Sequence, residues 1–223
     1  MKNLFKFLLL PFVALSLASC EKKEDGEPEG EGGEGETIVY TVNETEFDSA
    51  VDFHYKNLTY IAVTTGEMEE EGKCEMYLLE DGSLYQKECF GWGEHAFQYI
   101  GNDTYRAYSK NSETGVWSTG GTVSREEYIE GHYGDDFGVI GMVGSLSGSF
   151  DAFTYNETSH EYTGSVYFEY PGFDLAVTLK FENKNLIKCD FSVSEGDMTG
   201  GIEVQVKDHG KTTIDFSAFG AQA

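Results

Sequence analysis

The sequence predicts a mainly β domain: a curved antiparallel sheet or incomplete barrel of consecutive hairpins, with two or three short helices covering the open side. Three observations support this fold class. Segments rich in Tyr, Phe, Val and Thr are separated by turn-forming pairs such as Asp81-Gly82 and Pro171-Gly172. Residues 173–181 and 187–193 alternate apolar and polar side chains, which is typical of strands with one buried face. Two short stretches begin with capping-box patterns and continue at helical spacing.

Residues 1–19 have the order of an export signal. Lys2 and Lys6 flank the start of a short apolar run, which is followed by small residues. The alternative is a transmembrane or core helix, but the run is short for a spanning helix. The signal ends in Leu17-Ala18-Ser19-Cys20, which resembles the lipobox of bacterial lipoproteins. The resemblance implies that Cys20 becomes the lipidated first residue of the mature chain, carrying palmitate-type acyl chains that anchor it stably to a membrane.

Residues 20–37 are expected to comprise the lipidated Cys20 and a disordered tether. Residues 21–37 are rich in Glu and Gly and include no large apolar side chain, so burial cannot offset the entropy of ordering them. The charged residues 21–25 resemble the surface-export tethers of Bacteroidetes lipoproteins, which favours the outer membrane or cell surface over the inner membrane. Residues 38–223 have one composition throughout and are expected to form a single β-rich domain.

The charge balance limits the classes of partner. Without Lys2 and Lys6 the mature chain has 13 basic and 40 acidic residues, a formal charge of −27. Nucleic acids are bound by clustered Lys and Arg, and anionic lipid surfaces repel acidic proteins. We therefore expect no nucleic-acid partner, and we expect contact with the membrane only through the anchor.

Two segments of the sequence have patterns typical of helix N-termini. Asn43 and Glu46 fit a capping box that predicts an amphipathic helix over residues 44–55. Ser124 and Glu127 fit a second box, and Asp136 could cap a further apolar segment over residues 137–146. Three glycines weaken that last segment as a helix.

The first hairpin gives a specific pairing prediction. A two-residue turn at Asp81-Gly82 makes paired residue numbers sum to 163, so Leu78 faces Tyr85 and Glu75 faces Glu88 on a wet face. In this register Cys74 lies directly opposite Cys89, close enough for a disulfide in an oxidising envelope. The alternative is that both are small core residues, whereas Cys189 is expected to remain a buried thiol.

The later strands are also predicted as hairpins. Strands 95–100 and 104–110 pair Tyr99 with Tyr105, and a strand from Tyr162 to Tyr170 follows the turn 156–160. A three-residue loop 183–185, with its last residue left-handed, is expected to bring the apolar faces of the next two strands together. Strands 202–206 and 212–216 are expected to close the domain. The predicted buried side consists of Phe173, Leu175, Val177, Leu179, Phe181, Ile187, Phe191 and Val193.

A family resemblance accompanies this pattern. The chain resembles small bacterial lipoproteins of the LolA/LppX group. The shared features are the order of leader, lipobox, charged tether, amphipathic helix and aromatic hairpins, and the endings Phe153–Thr158 (FTYNET) and Asp208–Thr213 (DHGKTT). The resemblance covers most of residues 40–216. It implies an incomplete antiparallel barrel with helices over its open side, in which several members carry lipids or acyl chains.

Catalytic patterns are not found in the sequence. Residues 144–148 read GSLSG rather than the G-x-S-x-G of hydrolases, the cysteines lack CxxC spacing, and the carboxylate pair Asp135-Asp136 is expected by chance in so acidic a chain. The five histidines have no metal-binding spacing; they are His54, His95, His132, His160 and His209. We therefore expect neither an enzyme nor a metal or cofactor.

Six aromatic residues are candidates for contacting a ligand or filling the core: Trp92, Tyr99, Tyr105, Trp117, Tyr162 and Phe168. Two functions follow. The first is a membrane-anchored binding module that holds a lipid or other apolar ligand in the concave face of the sheet. The alternative is a surface-exposed structural or interaction lipoprotein with a filled core that binds glycan or protein partners. The sequence leaves the oligomeric state open.

Overall fold

The computed structural model describes residues 38–66, 72–89, 93–124, 127, 138–169, 172–195 and 198–220. The chain divides into two compact units, residues 1–36 and residues 37–223, and the described residues all belong to the second. The predicted leader, Cys20 and the tether lie outside the described residues.

One antiparallel sheet dominates the described part of the chain. Its spatial order is β6-β5-β4-β3-β2-β1-β11-β10-β9-β8-β7, and it does not close, so β6 and β7 are its edges. The predicted mainly β fold with short helices is confirmed. The strands are β1 Leu58–Gly66, β2 Lys73–Leu78, β3 Leu84–Cys89, β4 His95–Gly101, β5 Thr104–Lys110, β6 Trp117–Ser124, β7 Phe153–Asn156, β8 Glu161–Phe168, β9 Phe173–Glu182, β10 Asn185–Glu195 and β11 Met198–Lys207.

The first helix begins at the predicted capping box. Helix α1 spans Glu44–Val51, and the side chains of Asn43 and Glu46 each accept a hydrogen bond from the backbone N–H of the other residue. Asp52 has an extended backbone, so the helix ends four residues before the predicted limit. The second capping box also forms, since Ser124 and Glu127 exchange the same bonds, but the residues after Glu127 lie outside the described part.

Two further short helices lie in the described residues. Helix α2 spans Val139–Gly144 and has Gly138 as its N-cap, so the prediction that Asp136 caps this segment is wrong. Helix α3 spans Ser217–Gly220. In the described part of the chain no helix is both long and apolar enough to cross a membrane.

The first hairpin differs from its predicted register at the turn. Leu79 donates to the carbonyl of Ser83, and only Gly82 has a positive φ, of 84°. The loop therefore has three residues rather than two, and Leu78 faces Leu84 instead of Tyr85. A bulge leaves Lys87 unpaired and restores the predicted pair of Cys74 and Cys89.

The loop between β9 and β10 is shorter than predicted, whereas the loop of the first hairpin is longer. Asn183 and Lys184 both have positive φ, which defines a two-residue turn, and Asn185 pairs with Glu182. The predicted three-residue loop is therefore wrong, and Leu186 faces Phe181 where Ile187 was expected. Ile187 forms a bulge, after which the strands regain the predicted register, with Leu179 opposite Cys189.

Some of the other predicted pairings are confirmed and one is wrong. Tyr99 faces Tyr105, and the turn before β8 has the predicted position. Residues 212–216 are not a strand, because β11 pairs with β1 instead. Both backbone groups of Thr212 bond to the side chain of Asn57, and its hydroxyl bonds to Thr59, so these bonds go to residues at the start of β1 rather than to β11.

The inner face of the sheet, which packs against α1 and α2, holds the main core. Most of the residues predicted for the buried side lie there. Ile187 and Val193 are only half-buried, and the side chain of Phe173 is outside the described part. The fully buried members of the predicted set are Leu175, Val177, Leu179, Phe181 and Phe191.

Candidate functional site

The inner face is the place where the sequence predicts an apolar ligand. Helix α1 contributes Phe47, which has no exposed surface and whose ring lies 5.9 Å from that of Phe181 on β9. Helix α2 contributes Val143, which is also fully buried. These residues belong to one continuous cluster with side chains from β1, β2, β3 and β8 to β11. Helices α1 and α2 therefore contribute side chains to the core on the inner face.

Two of the candidate aromatic residues are part of this core. Tyr162 is 5% exposed, and its hydroxyl donates to the carbonyl of Val42 and accepts from the N–H of the same residue. Phe168 packs edge-on against Phe191, with ring centroids 5.8 Å apart. The Tyr162 hydroxyl is occupied by backbone hydrogen bonds and the Phe168 ring packs in the core, so both side chains are buried.

The paired tyrosines of the second hairpin have different surroundings. Tyr105 is 2% exposed and belongs to the core, whereas Tyr99 is 37% exposed. Their rings lie 5.4 Å apart. Tyr99 therefore lies between the core and the surface, at the end of the sheet that contains the turns 80–82 and 101–103.

Trp117 lies on the opposite, outer face of the sheet. Its ring is 4.4 Å from that of Phe219 in α3 and 6.0 Å from that of Tyr85. Tyr85 was expected to face Leu78, but in the shifted register it faces Tyr77 on this outer side, and the two rings are stacked. Trp92 lies outside the described residues. The C-terminal segment thus covers an aromatic cluster that the sequence does not reveal.

Glu75 is a buried carboxylate on the outer face whose pKa is strongly lowered. It is 7% exposed, so the expectation of a wet face is wrong. Tyr77 donates a hydrogen bond to its carboxylate, and Lys73 and Lys87 form ion pairs with it. Because Tyr77 and the two ammonium groups stabilise the charged form, the pKa of Glu75 falls to about 2. The same bond raises the pKa of Tyr77 to about 12.

The cysteines divide into a pair and a single thiol. Cys74 lies opposite Cys89, and a disulfide joins them in the structure. Cys189 is free and fully buried opposite Leu179. Burial raises the pKa of the Cys189 thiol well above its ordinary value, which suits an inert core residue rather than a nucleophile.

The described histidines have separate partners. His54 contacts Asp52, His160 contacts Tyr155, and the ring of His209 contacts the carbonyl of Leu186. In the part of the chain that the structure describes, no group of three His, Cys, Asp or Glu side chains is placed to hold a metal ion. His132 and the pair Asp135-Asp136 are outside that part.

A surface feature that the sequence does not predict centres on Tyr55. This residue was expected near the end of α1, but it follows the helix with a φ of +56° and is 41% exposed. A bulky side chain rarely adopts the left-handed region. No sequence signal marks this conformation, since left-handed residues are usually Gly, Asn or Asp.

Neither a scan against protein-family models nor a search of curated proteins found a match for this chain.

Proposed function

We propose that this protein is a lipid-anchored protein of the cell envelope that acts without catalysis, through contacts of its folded surface. In this proposal the inner face is a structural core rather than a carrier site for a lipid. The proposal is the second of the two functions that the sequence suggests.

The packing of the inner face supports this choice. Phe47, Val143, Leu179 and Phe181 have no exposed surface, and they join helix and sheet residues in one cluster. A site for a small apolar molecule is usually a cleft of about 300–1,000 Å³ lined by residues that the ligand covers. Side chains that already bury one another need no ligand to complete their packing.

A dye titration tests the absence of a carrier site. The mature chain carrying Cys20→Ala, which removes the acylation site, is titrated with a fluorescent fatty acid. We expect no saturable one-to-one binding. Saturation at one equivalent, with displacement by an unlabelled fatty acid, would support lipid carriage instead.

The anchor is a separate part of the proposal, supported by the lipobox at Leu17-Ala18-Ser19-Cys20. Two or more acyl chains make membrane attachment stable, whereas one chain is marginal. Replacing Cys20 with alanine should abolish acyl labelling and membrane partitioning while leaving the melting temperature of the domain unchanged. Labelling that persists in this variant would contradict the anchor.

A further inference from the structure

The last described residues of the chain lie on the outer face of the sheet as a separate segment. We call residues 213–220, which include helix α3, the C-terminal arm. The ring of Phe219 in the arm lies 4.4 Å from that of Trp117 and 5.0 Å from that of Tyr85. Three apolar side chains of the arm pack on this face: Ile214, Phe216 and Phe219. We call the surface under them the aromatic platform, and it consists of four residues from neighbouring strands: Tyr85, Ala96, Tyr108 and Trp117.

Hydrogen bonds hold the arm together but do not tie it to the sheet. The carboxylate of Asp215 accepts from the backbone N–H and the hydroxyl of Ser217, and two further backbone bonds also stay inside the arm. Among the residues that the structure describes, no hydrogen bond joins the arm to a strand. The preceding residue, Thr212, is instead bonded to Asn57 and Thr59. Thr212 is therefore a fixed anchor, and the arm can leave the platform by separating side chains alone.

The platform is held in shape by bonds that do not involve the arm. The hydroxyl of Tyr85 donates to the carboxylate of Glu94, which also forms an ion pair with Lys110. The hydroxyl of Tyr108 donates to the side chain of Gln98 at 2.8 Å. These bonds fix both rings whether or not the arm is in place, so the platform stays preorganised for aromatic side chains.

The arm itself shows what kind of ligand the platform accepts. Phe216 and Phe219 lie three residues apart, and this spacing puts both rings on one side of a helical turn, 5.8 Å from each other. Packed on the platform, Phe219 is only 7% exposed. A peptide with two phenylalanines at the same spacing presents the same rings to the platform.

We propose that the arm is a releasable cover and that the uncovered platform docks an aromatic segment of a partner protein, with the Phe-x-x-Phe spacing of the arm. Because the arm belongs to the same chain, it competes at a high effective concentration and keeps the platform closed until the partner binds. The partner binds only the open fraction of molecules, so the arm lowers the partner's apparent affinity. This inference rests on the proposed function, because it names the surface and the partner class of a protein that acts through contacts.

The test uses the mature chain carrying Cys20→Ala and a synthetic peptide of residues 213–220, TIDFSAFG, with blocked ends. A peptide in which alanine replaces both phenylalanines is the control. NMR titration to millimolar peptide follows the indole N–H signal of Trp117, which the Trp117→Ala variant identifies. Phe219→Ser weakens the competing arm and should tighten peptide binding about 10- to 1,000-fold, as expected if the arm of the parent is open in about 0.1–10% of molecules.

Ala218 is exposed on the arm, so Ala218→Ser is the matched control and should bind the peptide like the parent protein. In the Phe219→Ser protein, adding Trp117→Ala should weaken binding about tenfold or more, because it removes a ring of the platform. Adding Tyr167→Ala, an exposed position on β8 outside the platform, should leave binding unchanged. Phe216→Ser acts on a half-buried residue of the arm and replaces Phe219→Ser if that variant loses the circular dichroism spectrum of the parent.

A folded arm variant that binds the peptide no more tightly than the parent protein would overturn the inference. Equal binding of the control peptide without phenylalanine would also overturn it. If the parent dimerises as its concentration rises and Phe219→Ser stays monomeric, the occupant is the arm of a second copy, and the assignment to a partner protein is wrong. Saturable fatty-acid binding would instead overturn the proposed function, whatever the peptide does.

Discussion

Replacing Leu179 with alanine should strongly destabilise the domain, because this side chain is fully buried in the core on the inner face. It has no exposed surface and faces Tyr162 on one neighbouring strand and Cys189 on the other. Side chains of α1 and α2 belong to the same cluster, and the surroundings of such a site relax only partly into the space left behind. Leucine-to-alanine changes at such sites cost about 2–5 kcal/mol in free energy of unfolding.

Urea denaturation monitored by circular dichroism measures this change, and a domain of this size should also melt about 4–20 °C lower. The control is Lys180→Ala, on the opposite face of the same strand, which should change the free energy of unfolding by no more than about 0.5 kcal/mol. A loss for Leu179→Ala as small as that of the control would refute the assignment of the faces.

Three further predictions follow from the contacts. A chain beginning at Thr37 should melt like the full mature chain, whereas one beginning at Asn43 should melt several degrees lower, because it lacks residues 39–42 and their backbone bonds to side chains of the sheet domain. Glu75 has its pKa lowered from 4.5 to about 2, so the stabilisation it provides is present above pH 4.5 and is lost as pH falls towards 2. Glu75→Gln should therefore lower the unfolding free energy at pH 7 by up to about 3 kcal/mol and by much less at pH 2, and a difference independent of pH would contradict this. Because a disulfide joins Cys74 to Cys89, intact-mass analysis of the denatured, unreduced mature chain carrying Cys20→Ala should find one thiol that reacts with iodoacetamide, and three would refute the bridge.

Features determined by residues close in sequence could be predicted. The capping box of Asn43 and Glu46 sets the start of α1, because the donors and acceptors lie within one helical turn. Tyr99 and Tyr105 pair as predicted, although the turn between their strands has two residues, Asn102 and Asp103, with a bulge at Ile100. The alternation along β9 likewise identified Leu179 and Phe181 as core residues, since one face of the sheet is buried.

Features that depend on distant contacts could not be predicted in the same way. The bulges at Lys87 and Ile187 correct the register after each turn, and no local residue pattern marks them. Besides β10, β11 pairs with β1, more than a hundred residues earlier, so adjacent hairpins gave the wrong pairing for residues 212–216. The left-handed backbone of Tyr55 was also missed, because a bulky side chain rarely adopts this conformation.

Native mass spectrometry tests most directly whether the inner face is filled by the protein's own side chains. The mature chain carrying Cys20→Ala would be exported with an ordinary cleavable signal peptide and isolated from the envelope without detergent. Its mass would then be measured in the folded state. If the inner face is filled, we expect a single species with the mass of the polypeptide. A stoichiometric added mass that disappears on denaturation, together with a matching lipid in the organic extract, would contradict it.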